Sequence, residues 1–232
     1  MCGRARLSSD YSELKIMFRI PDDRPAPNFA PNWNAAPTQS LPIVRVDPGD
    51  GRRSLDLARW GMIPPWWDKP AKEFRMSTIN AMSETVAEKP LYKSAFKSRR
   101  CLVPFDSFYE WKVLGPKEKQ PYAIALADKR PMAMAGLWAN WKSPDGEQVR
   151  SFTIMTTEPN ELMATIHTRM PVILAEAAWP GWLGEVPAAE DELKALLVPL
   201  PAAQMVAWPV SRDVGNVRNN RPDLVEPIEH RP

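Results

Sequence analysis

Proline occupies 26 of the 232 positions, about twice its ordinary share. Each proline fixes φ and removes a backbone donor, which argues against a helical bundle and for short elements joined by rigid turns. The length suits one domain with a sizeable core and is too short for two full enzymatic domains. With 44% hydrophobic and 25% charged residues, the composition is that of a folded globular chain. Thirty Lys and Arg against 28 Asp and Glu leave a formal charge of +2, so any nucleic-acid affinity must come from a local basic patch.

Cysteine and histidine are scarce. Cys2 and Cys101 cannot build a four-thiolate zinc site or a disulfide framework, and His167 and His230 give no ligand pair at helical spacing. We therefore expect no metal and no cofactor. The N-terminus lacks the apolar core of a secretory signal. The uncharged apolar run Pro131 to Trp141 is shorter than the ~18 residues of a spanning helix. A chain of a reducing compartment, the cytoplasm, with no membrane partner is the expectation.

Along the chain, Ser8 or Ser9 is placed to cap a short helix over 10–19, stopped by Pro21. Residues 21–37 read as irregular. Strands over 41–46 and 54–60 flank the Asp47-Pro-Gly-Asp-Gly51 turn as a hairpin, and 90–100 suits a short basic helix. From Cys101 the pattern is mainly β: 101–105, 108–113, 122–127, 132–141 and 151–157, with turns at Gly115-Pro116 and Pro144-Asp-Gly146. Thr157 is the expected cap of a helix over 158–166. Further helices are expected over 175–183 and 188–197, and a strand over 205–210. Strands without regular βα alternation predict an α+β single domain, with a mostly antiparallel β core, barrel- or sandwich-like, flanked by short helices.

Several residues could carry chemistry, and each also has an ordinary structural explanation. Removal of Met1 would give Cys2 a free α-amine, with a pKa near ~7.7, beside its thiol. Such a 1,2-aminothiol condenses with an aldehyde to an imine and closes to a thiazolidine, or serves as an N-terminal-nucleophile hydrolase. Read alone, Cys2 is equally a small hydrophobe after the start residue. Alternation puts Phe108, Glu110 and Lys112 on one strand face, where Glu110 is either a desolvated general acid or half of a solvated Glu–Lys pair. His167 suits proton transfer near neutrality, or complements a helix C-terminus. Asn80 orients a nucleophile or caps a turn. Trp66 and Trp67, stiffened by Pro64 and Pro65, stack on unpaired bases or pack as rim. Arg4, Arg6, Arg169 and the 93–100 cluster bind phosphates or form a solvated face.

The set taken in order is more specific than its parts. Met1-Cys-Gly-Arg4, Asn34-Ala-Ala-Pro37, Trp60-Gly with Pro65-Trp-Trp67, Ile79-Asn-Ala81, Arg100-Cys-Leu-Val-Pro104, Phe108-Tyr-Glu-Trp-Lys112, Ile166-His-Thr-Arg-Met-Pro171 and Val210-Ser…Asn216-Val-Arg-Asn219 follow one another. The chain thereby resembles the SRAP family, the SOS-response-associated peptidases, over essentially its whole length. The resemblance implies a monomeric sensor of abasic sites in single-stranded DNA. By it, Cys2 is the nucleophile that forms a thiazolidine with the ring-opened sugar. Glu110 is the acid/base that also assists Met1 release, His167 hydrogen-bonds the opened sugar, and Asn80 positions the reacting centre. Arg4, Arg169, Trp66 and Trp67 fall at DNA-binding positions. One position departs: after Ile79-Asn-Ala81 the family commonly carries an arginine, and here Met82 stands there, with Arg75 or Lys72 as nearby substitutes. A glutamine amidotransferase also starts Met-Cys-Gly, but its oxyanion hole uses an Asn-Gly element and this chain has no such pair. A non-covalent single-strand-binding module would need the aromatic and basic residues but none of Cys2, Glu110 and His167.

Overall fold

A computed structural model describes residues 2–143 and 146–228; Met1, Pro144, Asp145 and His230 lie outside them. The strands are β1 (Ala5–Leu7), β2 (Asn32–Ala35), β3 (Ser40–Val46), β4 (Arg53–Trp60), β5 (Asn80–Met82), β6 (Arg100–Phe105), β7 (Ser107–Gly115), β8 (Glu118–Leu126), β9 (Met132–Lys142), β10 (Gln148–Thr157), β11 (Met170–Pro171) and β12 (Met205–Pro209). The α-helices are short: α1 (Tyr11–Met17), α2 (Pro90–Ser98), α3 (Glu161–Ala164), α4 (Trp179–Leu183) and α5 (Glu190–Ala195).

Two sheets organise the chain. One runs β12-β8-β7-β1-β2. The other runs β10-β4-β3-β6-β9, and because β9 also pairs with β10 the circuit closes into a barrel, with β5 and β11 extending it along β10. Closure removes free edges. The fold is thus α+β and mostly antiparallel, as expected, although β10 pairs in parallel with both β4 and β5. Inside the barrel Trp60 lies 5.7 Å from Phe105 and 6.2 Å from Phe152, ring centre to ring centre. Gly136 permits that packing, since a Cβ there would fall 2.8 Å from a Val103 methyl and 2.9 Å from the Cys101 sulfur.

Local details depart from the sequence reading where distant partners compete. Asp10, not Ser8 or Ser9, caps α1 through a reciprocal box with Glu13. The two serines instead donate their backbone N–H and hydroxyl groups to the Asp106 carboxylate. Asn160 caps α3 by accepting from the Met163 N–H at 2.8 Å, because Thr157 belongs to the ladder opposite Met170. Segment 21–37 contains β2, and the stretch expected as one helix over 175–183 is a 3-10 turn followed by α4.

Candidate functional site at the N-terminus

The β1–β7 pairing brings the N-terminal residues to the level of Glu110. Ala5 lies opposite Phe108, and the Tyr109 N–H donates to the Arg4 carbonyl at 2.9 Å. Glu110 keeps only 4% of its surface exposed and Cys2 only 1%, so the strand face that carries Glu110 is an interior one and not a solvated Glu–Lys face. Burial pushes the Cys2 thiol well above its ordinary pKa, and the negative charge of Glu110 pushes it further. The sulfur is held as a thiol.

From the barrel side, β5 carries Asn80 in parallel register with Ile154. The Asn80 side-chain amide donates to the Cys2 carbonyl at 2.9 Å. The phenol of Tyr92, on α2, donates to the Asn80 carbonyl at 3.2 Å and fixes that strand end. His167 follows α3, with Nε2 4.0 Å from a Glu110 carboxylate oxygen and a quarter of its side chain exposed. The Arg169 N–H donates to His167 Nδ1 at 3.0 Å. The Arg169 carbonyl stands 3.3 Å from the same Nδ1, so both contacts hold that side of the ring and turn Nε2 towards Glu110. Cys2, Asn80, Glu110 and His167 therefore converge from both sheets, with His167 on the open side.

The basic and aromatic candidates behave differently from one another. Arg4 uses Nη1 on the Asn34 side-chain oxygen at 3.0 Å and the Val214 carbonyl at 2.8 Å, and lies 6.0 Å from the centre of the Trp111 ring. Asn34 in turn donates to the carbonyls of Val214, Asn216 and Asn219. This guanidinium braces the C-terminal segment against β1, a tie the sequence reading missed. Arg169 is paired bidentately with Glu84, at 2.6 and 2.9 Å. Trp66 projects into solvent at 61% exposure, whereas Trp67 packs edge-on against Phe74 at 5.2 Å and its carbonyl accepts from the Trp141 indole. Met82 is exposed, and the Arg75 guanidinium donates to the Lys72 carbonyl at 2.7 Å. Among the described residues no three His, Cys, Asp or Glu side chains converge as a metal would require, and no helix is long and apolar enough to cross a membrane.

The class defined by this geometry is an α+β protein whose second residue, a cysteine, is buried between a carboxylate and an asparagine, beside a histidine with a quarter of its side chain exposed. The chain belongs to the SRAP family, SOS response associated peptidase, whose profile matches residues 1–217. It is 41% identical over 226 residues to abasic site processing protein YoqW of Bacillus subtilis, covering 97% of this chain and 99% of that one. It is 36% identical to abasic site processing protein HMCES of Xenopus tropicalis, across 98% of this chain and 78% of the relative. A crystal structure of a Bacteroides thetaiotaomicron protein superposes with a TM-score of 0.87 at 25% identity, covering 98% of this chain and all of the other.

Proposed function

We propose that this chain, one SRAP domain over residues 1–232, processes abasic sites in single-stranded DNA by forming a thiazolidine crosslink through Cys2 after loss of Met1. The observation that carries the reading is the convergence on Cys2: its carbonyl is held by Asn80 while Glu110 is buried beside it. An abasic sugar is a masked aldehyde. The freed α-amine attacks its carbonyl carbon and water leaves as the imine forms. The S–H then adds across C=N, sulfur bonding to carbon and the proton reaching nitrogen. Glu110 relays the protons, and His167 Nε2 hydrogen-bonds the sugar oxygen released on ring opening. The same carboxylate is placed to assist hydrolysis of the Met1–Cys2 bond, and an imine that fails to close would undergo lyase-type elimination. One chain supplies every group this chemistry needs, in keeping with a monomer, and the free thiol suits the reducing cytoplasm.

A glutamine amidotransferase leads with a nucleophilic sulfur and builds its oxyanion hole on an Asn-Gly element, a pair this sequence does not contain. Here the amine leads and the protonated thiol follows. Intact-protein mass spectrometry after incubation with a single strand bearing one abasic site is expected to show loss of Met1 and a DNA adduct together. Protein retaining Met1 has an amide in place of the amine, and its crosslinking at the same rate would overturn the mechanism. Glutaminase activity without adduct would favour the hydrolase.

The tryptophan pair provides a separate expectation. Trp66→Ala should weaken binding to intact single strands by about 1–3 kcal/mol, the worth of one stacked base, while reaction of Cys2 with a small free aldehyde is unchanged. Trp67→Ala should instead lower the melting temperature, because its ring fills the Phe74–Trp141 cluster. Filter binding and thermal melting of both variants separate the two roles.

A further inference from the structure

Arg169 and Glu84 lie 85 positions apart in sequence, yet the two side chains meet fork to fork. The arginine is the more buried partner, with 18% of its side chain exposed against 47% for the glutamate. Its Nη2 also donates to the Thr156 carbonyl at 2.7 Å, so the guanidinium is anchored from below and closed from above. Glu84 follows β5 by two residues, where the Ser83 N–H donates to that same Thr156 carbonyl. The Glu84 carboxyl is held below its usual pKa chiefly by its hydrogen bonds to Arg169. A bidentate carboxylate occupies the same donor edge that a phosphate would take.

We propose that Glu84 is a displaceable stand-in for DNA phosphate: it covers Arg169 in the free protein, and a backbone phosphate must evict it to bind. The inference rests on the reading of this site as a single-strand binder and adds a residue that sets its selectivity. An intramolecular carboxylate acts at high effective concentration, so a small free anion competes poorly. A phosphate delivered by a strand already held elsewhere has the same advantage and wins. The evicted side chain has room to swing aside, since Glu84 borders a recess of about 300 Å³ whose wall includes Lys194, itself paired with Glu190 at 2.8 Å.

The test compares wild type, Glu84→Gln, Glu88→Gln, Arg169→Ala and the Glu84→Gln/Arg169→Ala double variant. Dissociation constants are measured on undamaged single strands, and crosslinking rates on strands with one abasic site. Glu84→Gln should tighten binding about threefold to tenfold and lower the half-saturating DNA concentration by the same factor, with the maximal crosslinking rate unchanged. Glu88 lines the same recess and is exposed, so Glu88→Gln controls for removal of one negative charge and should change binding less than twofold. In the Arg169→Ala background the Glu84 substitution should lose its effect. The proposal is overturned if Glu84→Gln binds no tighter than wild type, or if its gain persists without Arg169, which would be general repulsion. It is also overturned if only the maximal rate falls, which would make Glu84 a support for His167 through the Arg169 backbone. Wild type that fails to bind single strands at all overturns the functional reading, and this inference with it. Wild type that crosslinks while Glu84→Gln is neutral overturns the inference alone.

Discussion

Processed Cys2→Ser protein is expected to form a borohydride-reducible adduct with abasic single strands and to cleave them, while yielding almost no heat-stable crosslink. The substitution keeps the α-amine, so the imine still forms. It also keeps the Asn80 contact, because that hydrogen bond is accepted by the residue's backbone carbonyl and not by its side chain. What changes is the second ring-closing atom. A hydroxyl adds to an imine far less favourably than a thiol, so the imine persists long enough for a base to remove the sugar's C2 proton. The 3′ phosphate then leaves by β-elimination. Serine is nearly isosteric with cysteine and hydrogen-bonds more strongly, so it is tolerated in this interior beside Glu110. Denaturing gels with and without borohydride, and with and without heating, give the three readouts. A heat-stable crosslink formed by Cys2→Ser as fully as by wild type would remove sulfur from the product and end the thiazolidine reading.

The parts of the fold legible in the sequence are those set by neighbouring residues. The β3–β4 hairpin followed from the Asp47–Gly51 turn, and β6 to β10 from alternation between turn signals. Strands of two to four residues were not legible. β1, β2, β5 and β11 are too short for a readable alternation and are held by pairing with strands distant in sequence. The caps failed for the same reason. Ser8 and Ser9 have good capping chemistry, but Asp106, nearly a hundred residues away, takes their donors and leaves the helix to Asp10.

The site divides similarly. Cys2, Asn80, Glu110 and His167 are visible because their chemistry is unusual for their motifs. Their convergence required a parallel β5–β10 pairing that no local pattern announces. The burial of Glu110 was undecidable from period-2 alternation, which separates two faces without saying which is wet. Glu84, in Ser83-Glu84-Thr85, carries no signal at all until Arg169 is placed against it. Asn34 and Arg4 carried motif residues whose visible task is to fasten the C-terminal segment to β1.

Glu110→Gln sets two effects of one carboxylate against each other, and their signs differ. Burial raises the Cys2 thiol pKa most and the Glu110 charge adds to it, so removing the charge should bring the thiol part of the way down while burial still holds it above its ordinary value. If sulfur attack limited the reaction, the variant would crosslink faster. If proton relay limits it, the variant loses a positioned acid/base, typically worth about 10²–10⁴ in rate, or roughly 3–5 kcal/mol of barrier. The second effect should win. Imine formation precedes sulfur addition, needs protons moved on and off the sugar and amine, and gains nothing from a thiolate. In the proposed mechanism His167 does not replace the relay: its Nε2, 4.0 Å from the carboxylate, is assigned to the sugar oxygen. The expected outcome is slow accumulation of the same heat-stable product, at least a hundredfold below the wild-type rate, from protein whose Met1 has first been removed by an aminopeptidase. Single-turnover crosslinking across pH, alongside thiolate absorbance of the same variant, measures both terms. Crosslinking by Glu110→Gln as fast as wild type, with the thiol titrating at lower pH, would make the carboxylate a brake on sulfur and not the proton relay.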